Sequence, residues 1–285
     1  MSESNYLVFG DLHGRILPAF RLASAWAREY KCPIAGLLQV GDLGYYPDLT
    51  RLDKATRKHA ADDPTELGAQ DVVHITPIAD AVFADEHCPQ CLWFTAGNHE
   101  DFDALLQFAG SSGRQPDCVV DAYCRLRCIK NGRITELPGG LQVGALWGVD
   151  GEGRNARRKL PPAGYVQQSA ADKLHVAPMN VLLIHDAPMD AVREGCGSPI
   201  SDELIRLSQP KFAFFGHYEC HGHRIERDYG STEVYHLSGM ELSGRGKHAE
   251  PGCVGVLNWN GTDGKFEYLE DDWLRSFTRH NWRSR

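Results

Sequence analysis

The sequence predicts an α/β fold in which two mixed β-sheets pack on each other with helices outside. Three observations predict it. Strand-helix-strand patterns occur near both ends of the chain, and each implies a parallel pair with a right-handed crossover. Short strands with turn signals fill the middle and follow the second unit. Short polar segments stand wherever a hydrophobic run stops, and in open α/β sheets ligands bind at those carboxyl ends. Two packed sheets with helices on the outer faces accommodate parallel and antiparallel parts in one core.

Each element follows from its pattern. Residues 6–9 form an apolar run, 16–30 repeat with the helical period, and 37–40 form the next run. Residues 45–88 are longer and more polar than one crossover needs. They read as a helical insertion at the mouth of a site, with helical stretches at 50–61 and 78–85. Residues 92–95 make a third strand and 101–109 a helix behind it. Short strands follow at 125–129, 133–137 and 141–146. Asn131-Gly132 is a hairpin signal between the first two, and this meander starts the second sheet. Residues 150–164, rich in Gly, Arg and Pro, read as an exposed loop. The strand-helix-strand pattern resumes over 181–184, 201–207 and 212–215. Ser201 followed by Asp202 and Glu203 marks the helix start. Strands are expected again at 224–227, 232–237, 252–259 and 265–269. The basic, aromatic residues 273–285 are either a short docking helix or a frayed tail. The whole of 1–285 is expected to be one domain.

Composition narrows the function classes. A hydrophobic fraction of 42% suits a globular chain with a sizeable core. The net charge of −8 argues against a nonspecific nucleic-acid coat. No apolar stretch approaches the ~20 residues that span a bilayer, so no membrane partner is expected. The polar, acidic start leaves no room for a secretory signal before the first strand. The nine cysteines are odd in number and dispersed, which fits reduced thiols and a cytoplasmic setting. Cys88-Pro-Gln-Cys91 has zinc-knuckle spacing, but Cys118, Cys124 and Cys128 follow too irregularly to complete a structural zinc site.

The five polar segments are Asp11-Leu-His13, Gly41-Asp42-Leu-Gly44, Gly97-Asn98-His99-Glu100, His185-Asp186 and Gly216-His217. Asp, Asn and His without thiolate make a hard to borderline donor set, suited to manganese, iron or zinc. Asp11 and His13, two apart at a strand end, can point to one side. Asp42 arrives from the neighbouring strand and has two oxygens with which to bridge. Asn98, His185 and His217 add a carbonyl oxygen and two imidazoles. The set is too large for one ion and suits two sharing an oxygen. Such a pair lowers the pKa of a bridging water and clamps the attacking and leaving oxygens at phosphorus. His99, beside Asn98, can donate a proton to a departing alkoxide. Glu100 and Asp186 are expected to orient neighbouring imidazoles. Burying so many charges together without a cation would be costly. By contrast, His59, His74, His175, His236 and His248 read as ordinary hydrogen-bonded residues.

In order and over roughly residues 9–240, these motifs resemble those of the calcineurin-like metallophosphoesterases. The resemblance implies a two-sheet sandwich and a dinuclear centre, with an activity on phosphate mono- or diesters. Asp11, His13 and Asp42 would hold the first ion, and Asp42, Asn98, His185 and His217 the second. His99 would be the catalytic proton donor. The cofactors implied are two divalent ions, manganese first, with iron, zinc and magnesium also suited. The substrate would be a small molecule, a nucleotide or a nucleic-acid end.

Two departures stand out. The family's last motif carries a second histidine two residues after His217, where this chain has Glu219; Glu219 or His221 would complete the first position. Gly41-Asp42 is followed by Leu-Gly-Tyr-Tyr-Pro, so the Asp partner of the proton donor and a phosphate-holding Arg are both missing from the place where protein Ser/Thr phosphatases carry them. Arg157 and Arg158, in the densest positive run, are the candidate substrate-phosphate clamp, with a solvated loop as the alternative. Tyr45 and Tyr46 either line the pocket or pack the insertion. The rival function is a binding or scaffold protein that keeps the fold without turnover; Glu219 is the feature that favours it, and His99 argues against it.

Overall fold

The computed structural model describes residues 3–152, 159–242 and 248–285. Strand β1 (Ser4–Phe9) leads through helix α1 (Ile16–Tyr30) to β2 (Ile34–Gln39). Helices α2 (Lys54–Ala60), α3 (Gln70–Val73) and α4 (Pro77–Phe83) follow before β3 (Leu92–Phe94), and α5 (Phe102–Ser111) comes after it. Short strands β4 (Asp117–Val119), β5 (Leu126–Ile129), β6 (Arg133–Leu137) and β7 (Leu141–Leu146) form the middle. Helix α6 (Gln168–His175), β8 (Val181–Ile184), α7 (Pro199–Ser208) and β9 (Phe212–Phe215) make the second parallel unit. The chain closes with β10 (His223–Arg224), β11 (Glu233–His236), β12 (Val254–Trp259), β13 (Gly264–Tyr268) and α8 (Asp271–Arg275). Among the described residues, no helix is long and apolar enough to cross a membrane.

Two mixed sheets result. One has the order β13-β12-β1-β2-β3-β5-β4 and the other β10-β11-β9-β8-β7-β6. Strands β1, β2, β3 and β5 are parallel, as are β7, β8, β9 and β11. The antiparallel strands lie at the edges of both sheets.

Side-chain alternation makes the sandwich. Tyr6 and Val8 of β1, Val181 and Leu183 of β8, and Phe212 and Phe214 of β9 face the space between the sheets. Leu7 and Phe9 face outward to α1, where Phe20, Leu22 and Trp26 cover them. Leu182, Ile184, Ala213 and Phe215 face the other way, under α6 and α7. The layers are therefore helix, sheet, sheet, helix. Because the parallel strands run the same way within each sheet, their carboxyl ends gather along one rim.

Several sequence expectations change. Strand β5 joins the first sheet and β6 the second, so Asn131-Gly132 is a crossing between sheets and not a hairpin. Asn131 Oδ1 accepts from Trp147 N at 3.0 Å and Gly132 N donates to Ala145 O at 2.9 Å, which ties the crossing to the end of β7. Helix α7 begins at Pro199 with Ser198 as its cap, accepting from Ser201 N. The expected strand over 224–227 shrinks to His223–Arg224. Helix α6 and the three-residue β4 carry no strong signal and were not expected. At the carboxyl end, Phe277 and Trp282 are buried and Ala249 N donates to Phe277 O, so 273–285 packs down as a short helix and turn.

Candidate metal centre

The strand ends converge. Asp11, His13 and Asp42 bring one ligand atom each within 4.8 Å of one another, and so do Asp42, His185 and His217. Asp42 belongs to both groups. His185 Nε2 lies 3.2 Å from Asp42 Oδ2, and His185 Nδ1 3.8 Å from Asp11 Oδ1. His13 Nε2 is 4.0 Å from Asp11 Oδ2. Asn98 joins through its backbone: Asn98 N and His99 N both donate to Asp42 Oδ1, at 2.5 and 2.7 Å. His217 N donates to the Asp11 carboxylate at 3.2 Å.

Local backbone makes this convergence possible. His13, Asp42 and His217 have φ of 42°, 53° and 70°, in the left-handed region that non-glycine residues seldom adopt. Such strain collects where the surrounding fold overrides local preference for a site. The glycines preceding two ligands are there for room. A Cβ on Gly97 would fall 2.2 Å from Asp42 Oδ1, and one on Gly216 would fall 2.1 Å from Asp11 Oδ1.

The donor atoms fit divalent ions. Asn98 Oδ1 and His185 Nε2 are buried and make no hydrogen bond. His185 Nε2 is near Asp42 but out of hydrogen-bonding alignment. A buried polar atom without a partner costs about 1–3 kcal/mol, and both atoms belong to the predicted second-ion set. Burial and the Asp42 charge push the Asp11 carboxyl up to about 7. Burial would depress His185, but the Asp42 and Asp11 carboxylates outweigh it and hold it at about 9. Burial lowers His13 to about 4, which keeps its imidazole neutral, the form that ligates metal.

Asp11, His13, Asp42 and His217 floor a cleft of about 780 Å³. Asp11, Asp42, Glu66, Glu219, Glu241 and Glu250 line it, and no Lys or Arg does so among the described lining residues. Glu219 and His221 stand on its wall, exposed, outside both groups of mutually close ligand atoms. A second cleft of about 810 Å³ adjoins across residues 217–220, and Arg193 lines it. Arg157 and Arg158 lie outside the described residues.

His99 has the partner that the sequence placed nowhere. Asp53, from the insertion, sets Oδ2 2.7 Å from His99 Nδ1. Asp53 is also the cap of α2, accepting from Ala55 N and Thr56 N, and it accepts from Tyr46 OH at 2.5 Å. Burial would raise its carboxyl, but the His99, Tyr46 and backbone hydrogen bonds hold it below the usual range. In the sequence Asp53 falls inside the expected helical stretch 50–61, and no local signal there points to His99.

Two orienting roles are corrected. Glu100 does not reach an imidazole; it accepts from Leu43 N and Tyr45 N, both at 2.7 Å, and so shapes the loop after Asp42. Asp186 accepts from Asp150 N and Tyr218 OH instead of orienting His185. His185 is oriented by Val40 O, 3.2 Å from Nδ1.

Compared by sequence, the chain matches no family model and no curated protein. Compared by structure, it resembles solved proteins along its length. One crystal structure aligns with a TM-score of 0.55 at 14% identity, over 94% of this chain and 100% of its own. GAP50, the anchor in the inner membrane complex of Plasmodium, aligns at 0.51 and 11% identity, over 95% of this chain and 85% of its own. The 5'-nucleotidase of Candida albicans SC5314 aligns at 0.43 and 12% identity, over 98% of this chain and 54% of the nucleotidase. At these identities the first two show a shared fold, and the third is too distant to carry an argument.

Proposed function

We propose that this chain is a metal-dependent hydrolase of phosphate mono- or diesters. The observation that carries the reading is the pair of ligand groups sharing Asp42, with the Asp53–His99 pair on the same cleft. Asp11, His13 and Asp42 would hold one divalent ion, and Asp42, Asn98, His185 and His217 the other. Manganese suits the carboxylate-rich first position, and iron, zinc or magnesium are alternatives. When bound, the ions would supply Lewis acidity and a nucleophile at neutral pH.

The charge of the cleft supports the same reading. Among the described residues the cleft lining carries carboxylates and imidazoles but no Lys or Arg, so bound metal cations would supply the attraction for a phosphoester there. The chain's own part in the chemistry centres on His99. The ionised Asp53 accepts a hydrogen bond from His99 Nδ1–H and favours the doubly protonated imidazolium, whose Nε2–H delivers its proton to a leaving alkoxide and leaves the neutral Nδ1–H tautomer behind. Arg193, which lines the adjoining cleft, offers a positive charge to a second phosphate or an extended leaving group. The substrate is then a small phosphoester, a nucleotide or a nucleic-acid end.

The test is hydrolysis of nitrophenyl phosphate and bis-nitrophenyl phosphate by purified protein, chelated and then reloaded with manganese, iron, zinc or magnesium. Metal-restored release of nitrophenol from either ester is expected. Full metal loading without turnover of either ester, or of nucleotide esters, would overturn the reading in favour of a scaffold.

A further inference from the structure

A second cluster of ligand-type side chains lies beyond the Asp42 centre. Cys220, His223 and His236 bring a sulfur and two imidazole nitrogens within 4.8 Å of one another. Cys220 Sγ is 3.6 Å from His236 Nδ1 and 4.0 Å from Nε2. His236 ends β11 and is 0% exposed. His223 is its direct cross-strand partner in β10, so both rings stand on one face of the ribbon, with centroids 5.6 Å apart. His223 Nδ1 lies 2.8 Å from His221 O. The proton therefore sits on Nδ1 and the lone pair on Nε2, the arrangement by which a backbone carbonyl readies a histidine for metal. Gly222 makes the tight return possible, since a Cβ there would fall 2.1 Å from Gly252 O.

We infer that Cys220, His223 and His236 form a third metal site that takes zinc through one thiolate and two neutral imidazoles. The donor set decides the metal. A thiolate with two imidazoles selects zinc over manganese or magnesium, the reverse of the preference of the carboxylate-rich centre. The spacing is close: tetrahedral zinc with bonds of about 2.3 Å to sulfur and about 2.0 Å to nitrogen needs the two ligand atoms about 3.5 Å apart, and Cys220 Sγ stands 4.0 Å from His236 Nε2, the nitrogen left free when Nδ1 faces His221 O at 3.4 Å. Binding replaces the S–H bond by an S–Zn bond and releases the proton to solvent. Three protein ligands leave one position for water. Cys220 is three residues beyond His217, so the ion ties down the loop that carries His217 to the Asp42 centre. The inference rests on this geometry alone and stands whether or not the chain hydrolyses phosphoesters.

Cobalt titration of the metal-free full chain tests it. Only a thiolate ligand produces sulfur-to-cobalt charge-transfer absorption; the Asp, Asn and His donors of the other centre produce none. The band is expected in the unaltered chain and in Asp42→Asn, and should be absent from Cys220→Ser and His223→Gln. Zinc content measured by mass spectrometry should fall by one equivalent per chain in Cys220→Ser, with unchanged circular dichroism. A band that survives Cys220→Ser, or no band in the unaltered chain, would show that the cluster is only hydrogen-bonded. Should His223→Gln misfold, the Cys220→Ser comparison decides alone, since Cys220 is only partly buried.

Discussion

Asp53 and His99 lie 46 positions apart in sequence and meet with 2.7 Å between Oδ2 and Nδ1. The contact joins the polar insertion to the strand end that carries Asn98. It gives His99 a carboxylate partner from the insertion, where the segment after Gly41-Asp42 supplies none.

If this pair delivers the proton, His99→Ala lowers turnover by ~10²–10⁴-fold for esters with poor leaving groups. Asp53→Asn should reproduce part of that loss, because a neutral amide no longer stabilises the protonated imidazolium of His99. Both losses should shrink for nitrophenyl esters, whose leaving group needs no proton. Rates measured across a leaving-group series check this; a uniform loss would instead mean that Asn98 has been displaced.

Asp42→Asn should remove most bound metal and abolish activity, because Asp42 is common to both ligand groups. Metal analysis after dialysis is the measurement. Retention of both ions would sink the dinuclear arrangement.

Glu219 stands on the cleft wall outside the two ligand groups. Glu219→Ala should therefore weaken the first ion less than His13→Ala does, and Glu219→His should tighten zinc there. Titration at limiting metal compares them. If Glu219→Ala empties the position as completely as His13→Ala, the loop carries Glu219 inward on binding; if only His221→Ala does so, His221 is the ligand.

Arg15 anchors the insertion from below. Its guanidinium, 1% exposed, lies 2.9 Å from Asp63 and 3.0 Å from Glu66. Removing one partner of a buried pair costs about 3–5 kcal/mol, so Arg15→Met should lower the midpoint of denaturant unfolding accordingly. Burial would raise the Asp63 carboxyl, but Thr65 and Arg15 hold it below its ordinary value. A depressed folded-state carboxyl contributes stability above its unfolded value of about 3.9, and loses it as pH falls. Burial raises the Glu66 carboxyl even with Arg15 beside it, so the difference between the two proteins should narrow as pH falls, first through Glu66 and then, below about pH 4, through Asp63.

The strand-end polar groups were legible in the sequence as local signals, apolar runs that stop at a carboxylate, amide or imidazole, with a glycine immediately before Asp11, Asp42, Asn98 and His217. Continuous apolar runs along β1, β8 and β9 likewise announced two buried faces per strand, and hence sheets with layers on both sides. Tertiary structure alone decided the rest. Asn131-Gly132 looks like a hairpin until the two strands around it find different sheets. His236 looks like an ordinary core histidine until β10 folds back and sets His223 and Cys220 beside it. Glu100 looks like a partner for imidazole until the loop after Asp42 offers it two backbone N–H groups. Asp53 reads only as one more charged residue within a helical stretch until the insertion docks over His99. In each case the deciding contact joins residues from different elements, and its energy depends on where packing brings those elements together, which a local pattern does not encode.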